Sequence, residues 1–153
     1  MCNIVDPVGV TLFVQTAEFN VLEPELDQSV VVTECFIANI TQMRSIDNVF
    51  EFILLNSSTA TSGLDYFVNR SSPFITIPAT FTGIYSECVD IEIFGDNITE
   101  GDELIEYSLQ PLSSEDSVQY PPGSNSIRIF IFDNGMSCTR RLGLIMSCIA
   151  AYT

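Results

Sequence analysis

Cys88-Val89-Asp90-Ile91-Glu92-Ile93-Phe94 is the stretch on which the fold turns. Val89, Ile91 and Ile93 alternate with Cys88, Asp90 and Glu92, a period of two that a helix cannot present as one apolar face. A strand with that pattern buries one side and wets the other. Outward from it, short β-branched and aromatic runs recur between Val8 and Phe132, separated by Gly, Pro, Asn, Asp and Ser, with no sustained helical period. The spacing predicts strands at 10–14, 18–22, 29–37, 49–55, 65–68, 74–77, 88–94, 104–109 and 126–132. Many short strands with regular turn signals make an all-β, two-sheet antiparallel immunoglobulin-like β-sandwich. Its core is expected to hold Val30, Val32, Phe36, Phe52, Val89, Ile91, Ile93, Leu109 and Ile129. In the last run Ile127, Ile129 and Ile131 alternate with Arg128, Phe130 and Phe132, so both of its faces are partly apolar.

The chain divides into an N-terminal linker, residues 1–7, the sandwich, 8–135, and a linker or irregular tail, 136–153. Residues 110–125 carry Pro111, Pro121, Pro122 and Gly123 and read as a long hairpin loop. At 153 residues the chain suffices for one domain with its own core. The start lacks a basic, then apolar, leader, so a fragment of a longer secreted protein is expected. After Arg140 and Arg141 the tail is apolar from Leu142 to Tyr152, shorter than a membrane span needs, which leaves an incomplete span or an irregular end as readings.

Twenty acidic residues face five basic ones, a net charge of −15 with no Lys and no His. Nucleic acid and anionic lipid are repelled by such a chain. Without His, the usual general base, the Ser–His and Cys–His nucleophile pairs and the commonest zinc ligand are all missing. A carboxylate pair could still cleave glycosides, but the chain has no Trp to line a sugar cleft. The expectation is that it is not an enzyme. The excess of carboxylates is either a solvated acidic surface or a site for a hard cation.

None of Cys2, Cys35, Cys88, Cys138 and Cys148 forms a C-x-x-C pair, which removes the zinc and thioredoxin-like spacings. Alternation puts Cys35 outward with Val31 and Thr33, and Cys88 outward with Asp90 and Glu92. On neighbouring strands in matching register the two form a cross-strand disulfide; otherwise they are free, half-exposed thiols. Sequons at Asn39, Asn56, Asn69 and Asn97 point to an extracellular setting, with Asn39, Asn56 and Asn69 as the glycosylation candidates.

Four segments, in order, resemble the Calx-beta family, the calcium-binding repeats of sodium/calcium exchangers, the integrin β4 tail and extracellular matrix proteins. They are A-E-F-N-V-L-E ending at Glu23, T-A-T-S-G-L-D-Y from Thr59 to Tyr66, I-E-I-F-G-D-N-I-T-E-G-D-E from Ile91 to Glu103, and I-R-I-F-I-F-D-N-G from Ile127 to Gly135. The resemblance spans Val10 to Gly135 and implies a calcium site at one end of the sandwich. Side-chain ligands would be Glu23, Asp65, Asp96, Glu100, Glu103 and Asp133, with the Ile98 carbonyl completing the set. Calcium takes six to eight oxygens, and strand ends distant in sequence can bring them to one rim. The chain departs from the family where Gly95 and Asn97 flank Asp96, and where Asn134 and Gly135 follow Asp133. Fewer anionic ligands imply one or two ions, and the Asn97 sequon, inside the loop, is expected to stay unmodified. The resemblance implies an adhesion, matrix or membrane-anchored parent protein, with calcium, neighbouring domains of the same chain and other proteins as partners, and no direct insertion of the domain in a membrane. The alternative is a sandwich of the same fold without metal, acting as a spacer or protein-interaction domain.

Overall fold

The structure, a computed structural model, describes residues 9–15, 17–96, 98–113, 118–122, 126–134, 136–139 and 147–150. The strands are β1 Val10–Val14, β2 Glu18–Leu22, β3 Ser29–Ile40, β4 Asn48–Leu54, β5 Tyr66–Asn69, β6 Phe74–Ile77, β7 Gly83–Phe94, β8 Glu103–Ser113, β9 Val118–Gln119, β10 Ser126–Phe132, β11 Met136–Thr139 and β12 Ser147–Ala150. Two five-stranded sheets, ordered β5-β7-β3-β1-β9 and β2-β10-β8-β4-β6, form a sandwich, and β11 and β12 pair separately. Pairing is antiparallel except at one end of each sheet, where β9 lies parallel to β1 and β2 parallel to β10. Among the described residues there is no helix long and apolar enough to cross a membrane.

Alternation explains the core. Val89, Ile91 and Ile93 of β7, Ile127, Ile129 and Ile131 of β10, and Ile105, Tyr107 and Leu109 of β8 all turn inward and are buried. Phe52 stacks on Tyr107 with ring centroids 4.2 Å apart and meets Phe36 edge-on at 5.4 Å, joining the two sheets through aromatic contacts. Of the expected core residues, Val30 is the exception, at 39% exposure. Val30 is the second residue of β3, near that strand's start, whereas Val32, one step further in on the same face, is buried.

Segments read as turns or loops turn out to be strand. β3 runs on to Ile40 and β7 starts at Gly83, giving an unbroken twelve-residue pairing. β8 continues through Pro111 to Ser113, where the ladder with β4 shifts register between Val49 and Phe50. A proline has no N–H for a ladder and is tolerated at such an irregularity. Val118 and Gln119, inside the expected loop, add β9 to the edge of β1. The tail expected to be a linker or irregular carries the β11–β12 pair.

Cys35 and Cys88 are directly opposite in the β3–β7 ladder and are joined by a disulfide across 53 residues of sequence, with Cα atoms 3.9 Å apart. Asn97 lies outside the described residues, so its sequon is not placed. Asn56 and Asn69 are exposed, whereas Asn39 is half-buried in mid-strand, opposite Ile84 on one side and Thr11 on the other.

Candidate metal centre

One end of the sandwich gathers acidic residues from the ends of five strands. Glu23 follows β2, Asp65 precedes β5, Asp96 follows β7, Glu103 opens β8 and Asp133 follows β10. Glu23, Asp65, Asp96, Glu100, Glu103 and Asp133 line one pocket together with Phe94, Gly101 and Ile131. Its interior is about 20 Å³, room for roughly one water-sized occupant. Carboxylate oxygens of Asp65, Glu100 and Glu103 come within 4.8 Å of one another. Ile98 is exposed and is not part of this lining; its N–H donates to Asp96 Oδ1 at 2.6 Å.

Asp65 is delivered by the segment between β4 and β5, which first follows β8 and then crosses to the other sheet. Leu55 N–H donates to the Glu106 carbonyl, and Thr59 N–H to the Leu104 carbonyl, each at 2.8 Å. The Leu104 and Glu106 N–H groups donate in return to Thr59 Oγ1 and Ser58 Oγ, also at 2.8 Å. These hydroxyls replace the strand partner that β4 no longer supplies. Beyond Ala60, a tight turn has Gly63 at φ 85°, a left-handed conformation that glycine adopts without steric cost. The turn is closed by the Thr61 N–H donating to Asp65 Oδ2 and by the Asp65 N–H donating to the Thr61 carbonyl at 2.9 Å. Phe94 N–H then donates to the Asp65 carbonyl at 2.8 Å, which fixes Asp65 beside the end of β7.

Glu23 is held from two sides. Its N–H donates to the Phe132 carbonyl at 2.9 Å, and its Oε1 accepts from the Asp96 N–H at 3.1 Å. Asn134 Nδ2 donates to the Pro24 carbonyl at 2.9 Å, closing the end of β10 onto the turn after β2. Gly95 passes so near this turn that a Cβ there would lie 2.2 Å from the Pro24 oxygen. In sequence Gly95 and Asn134 stand where the family carries further acidic residues; in the structure Gly95 packs against the backbone of Pro24 and Glu25, and the Asn134 side chain bonds the same turn, beside Asp96 and Asp133. A long-range approach of backbone to backbone leaves no mark in local sequence pattern.

Crowding shows in the titration of these groups. Burial pushes the Glu103 carboxyl up to about 7, with the charges of Asp65 and Glu100 and a hydrogen bond to Asp65 adding to the rise. Partial burial also raises Glu23, against the N–H of Asp96 and with the charges of Asp96 and Asp133. Glu100 is raised by desolvation and then by Asp65, Asp96, Glu23 and Asp133. Like charges around a small volume disfavour each other's ionised form, and a divalent cation among them reverses that preference. The donor set, oxygen-only and carboxylate-rich, suits calcium rather than a transition metal. Among the described residues, no basic side chain is part of the pocket lining.

No protein-family model and no curated protein sequence matches the chain. Its structural neighbours include Calx-beta domains and other β-sandwich domains. The apo form of the Calx CBD1 domain matches with a TM-score of 0.55 at 17% identity, over 82% of this chain and 97% of that one. CBD12 from CALX1.2 matches with a TM-score of 0.53 at 18% identity, over 81% of this chain and 44% of that longer chain. The chain therefore has the Calx-beta sandwich fold.

Proposed function

We propose that the chain is a calcium-binding module, one repeat of a larger adhesion, matrix or membrane-anchored protein, and that it is not an enzyme. The observation that carries this reading is the convergence of Asp65, Glu100 and Glu103 within 4.8 Å, in a pocket also lined by Glu23, Asp96 and Asp133. Asp65 comes from the segment before β5 and Glu100 and Glu103 from the one between β7 and β8, and gathering their like charges costs stability that a bound cation returns. The pocket's size favours a single tightly held ion centred on Asp65, Glu100 and Glu103. A second ion nearer Glu23, Asp96 and Asp133 would be held more weakly. Bound calcium would stiffen the segment between β7 and β8 and couple the ends of β2, β7 and β10, which suits a load-bearing or spacing module. An extracellular setting is supported by the Cys35–Cys88 bridge and by the exposed sequons at Asn56 and Asn69.

Substitution of Glu100 and Glu103 tests the reading. Glu100→Gln with Glu103→Gln keeps side-chain shape and removes two anionic ligands. In the unsubstituted chain, calcium at about a hundred times its dissociation constant should stabilise by roughly 2.7 kcal/mol, a rise of several degrees in Tm. The double variant should lose that rise and be no less stable than the parent in chelator. An equal calcium-dependent rise in parent and variant would contradict the assignment.

A further inference from the structure

A second cavity opens between the two sheets and shares no lining residue with the acidic rim. Val68 of β5 contributes to its wall from one sheet, and Phe52 of β4 and Tyr107 of β8 from the other. The rest of the lining, which includes Arg70, Ser72 and Pro73, is the connection from β5 to β6, where the chain passes between the sheets. Its volume is about 270 Å³. An apolar cavity of about 150 Å³ admits benzene, so this one has room for a single ring with a polar substituent.

Arg70 supplies the polar side. Its Nε donates to the Ser72 carbonyl at 2.8 Å, and its Nη2 donates to the Phe74 carbonyl at 3.1 Å and to Glu87 Oε1 at 2.8 Å. The guanidinium carbon stands 5.8 Å from the centroid of the Phe52 ring. Nη1 is buried and has no acceptor among the described residues. Buried N–H groups are costly without an acceptor, and this one belongs to a side chain that lines a cavity with room for one. Ser72 Oγ accepts from the Phe74 N–H at 3.1 Å, which leaves its own hydrogen to donate. The lining thus offers donors beside apolar rings, a pattern that a carbonyl oxygen with two lone pairs can satisfy. A carboxylate fits less well: Glu87 already balances the Arg70 charge, and a chain of net charge −15 repels anions.

We infer that this cavity binds a small neutral ligand, an apolar body the size of one ring that carries an amide carbonyl, with Arg70 Nη1 donating to the carbonyl and Phe52, Val68 and Tyr107 enclosing the ring. The inference stands apart from the calcium reading.

Nuclear magnetic resonance of the full chain, titrated with phenylacetamide at millimolar concentrations, tests it. The expected result is saturable shifts of the Val68 methyl and Arg70 Nε–H signals. Phenylacetate, of the same shape but anionic, should bind about tenfold more weakly. Arg70→Lys keeps a cation for Glu87 and removes Nη1, and it should weaken phenylacetamide binding by about tenfold. Val68→Phe fills the cavity and should abolish the shifts. The amide signals of β10, which contributes no lining residue, report whether each variant has folded. No shift of the Val68 and Arg70 signals in the parent chain would overturn the inference, as would phenylacetate binding as tightly as phenylacetamide.

Discussion

Gly95 and Glu106 are the residues through which local substitutions should report on the rim. At Gly95 a methyl group would collide with the backbone oxygens of Pro24 and Glu25, a contact that no rotamer change can relieve. Gly95→Ala should therefore push β7 away from the turn after β2 and separate Glu23 from Asp96. A loss of about 1–3 kcal/mol in chelator is expected, of the size overpacking costs, together with weaker calcium binding. Thermal unfolding with and without calcium measures both, and a variant with parental Tm and calcium response would refute the close approach. Glu106 is buried on the outward side of β8, accepting from Ser57 Oγ, from Arg128 Nε at 2.8 Å and from Ser126 Oγ at 3.3 Å. Hydrogen bonds from Ser57 and then Arg128 hold its carboxyl below the usual carboxylate range. Glu106→Gln should cost about 1–3 kcal/mol at neutral pH, since charged hydrogen bonds to a buried acceptor are lost. Ser58 and Thr59 still tie the segment leading to Asp65 to β8 in that variant, so its calcium-dependent rise in Tm should persist. Loss of that rise would mean that Glu106 positions Asp65 directly.

At the scale of elements, the segment between β7 and β8 brings Glu100 and Glu103 against Asp65, and its charge sets a pH dependence. The Glu103 carboxyl is raised from 4.5 to about 7 in the folded chain, so between those values the folded state holds the proton more often than the unfolded state. Its contribution to stability is present at the acid end of that window and is lost as pH rises through it. Glu106, with its lowered carboxyl, has the opposite sign: its contribution is present above its unfolded value and is lost as pH falls below it. In chelator, Tm should therefore peak near pH 4.5–5 and fall toward pH 7.5, and calcium should offset the fall by taking the place of the proton. A Tm that is flat or rising from pH 5 to 7.5 in chelator would contradict the crowding. The strands on which this depends were largely legible in sequence where alternation is strong, as in β7 and β10, since burial of one face leaves a two-residue period. β9 and the far half of β8 were not, because Pro111 and the polar residues after it carry turn chemistry, and two residues joined to β1 only by pairing carry no period. Val30 follows the alternation but stands near the start of β3, where it is 39% exposed, and alternation gives a side chain's face, not whether anything covers it.

For the whole molecule, a net charge of −15 means that a bound calcium ion would relieve repulsion across the chain as well as at the rim. The gathering of these acidic residues at one rim was legible because they lie at strand ends or in the connection between β7 and β8, in segments with their own sequence signature, and a sandwich gathers such connections at one rim. Ile98, expected to add its carbonyl, stands exposed and is not among the lining residues, and a backbone group is not marked by its residue type. The central claim is that this rim holds calcium, and calorimetric titration of the unsubstituted chain with calcium at pH 7.5 measures it most directly. The account predicts saturable binding of one ion, a second only at higher concentration, and a dissociation constant in the range of about 10⁻⁵ to 10⁻³ M. No saturable heat up to several millimolar calcium, with an unchanged Tm, would contradict it and leave a metal-free spacer of the same fold.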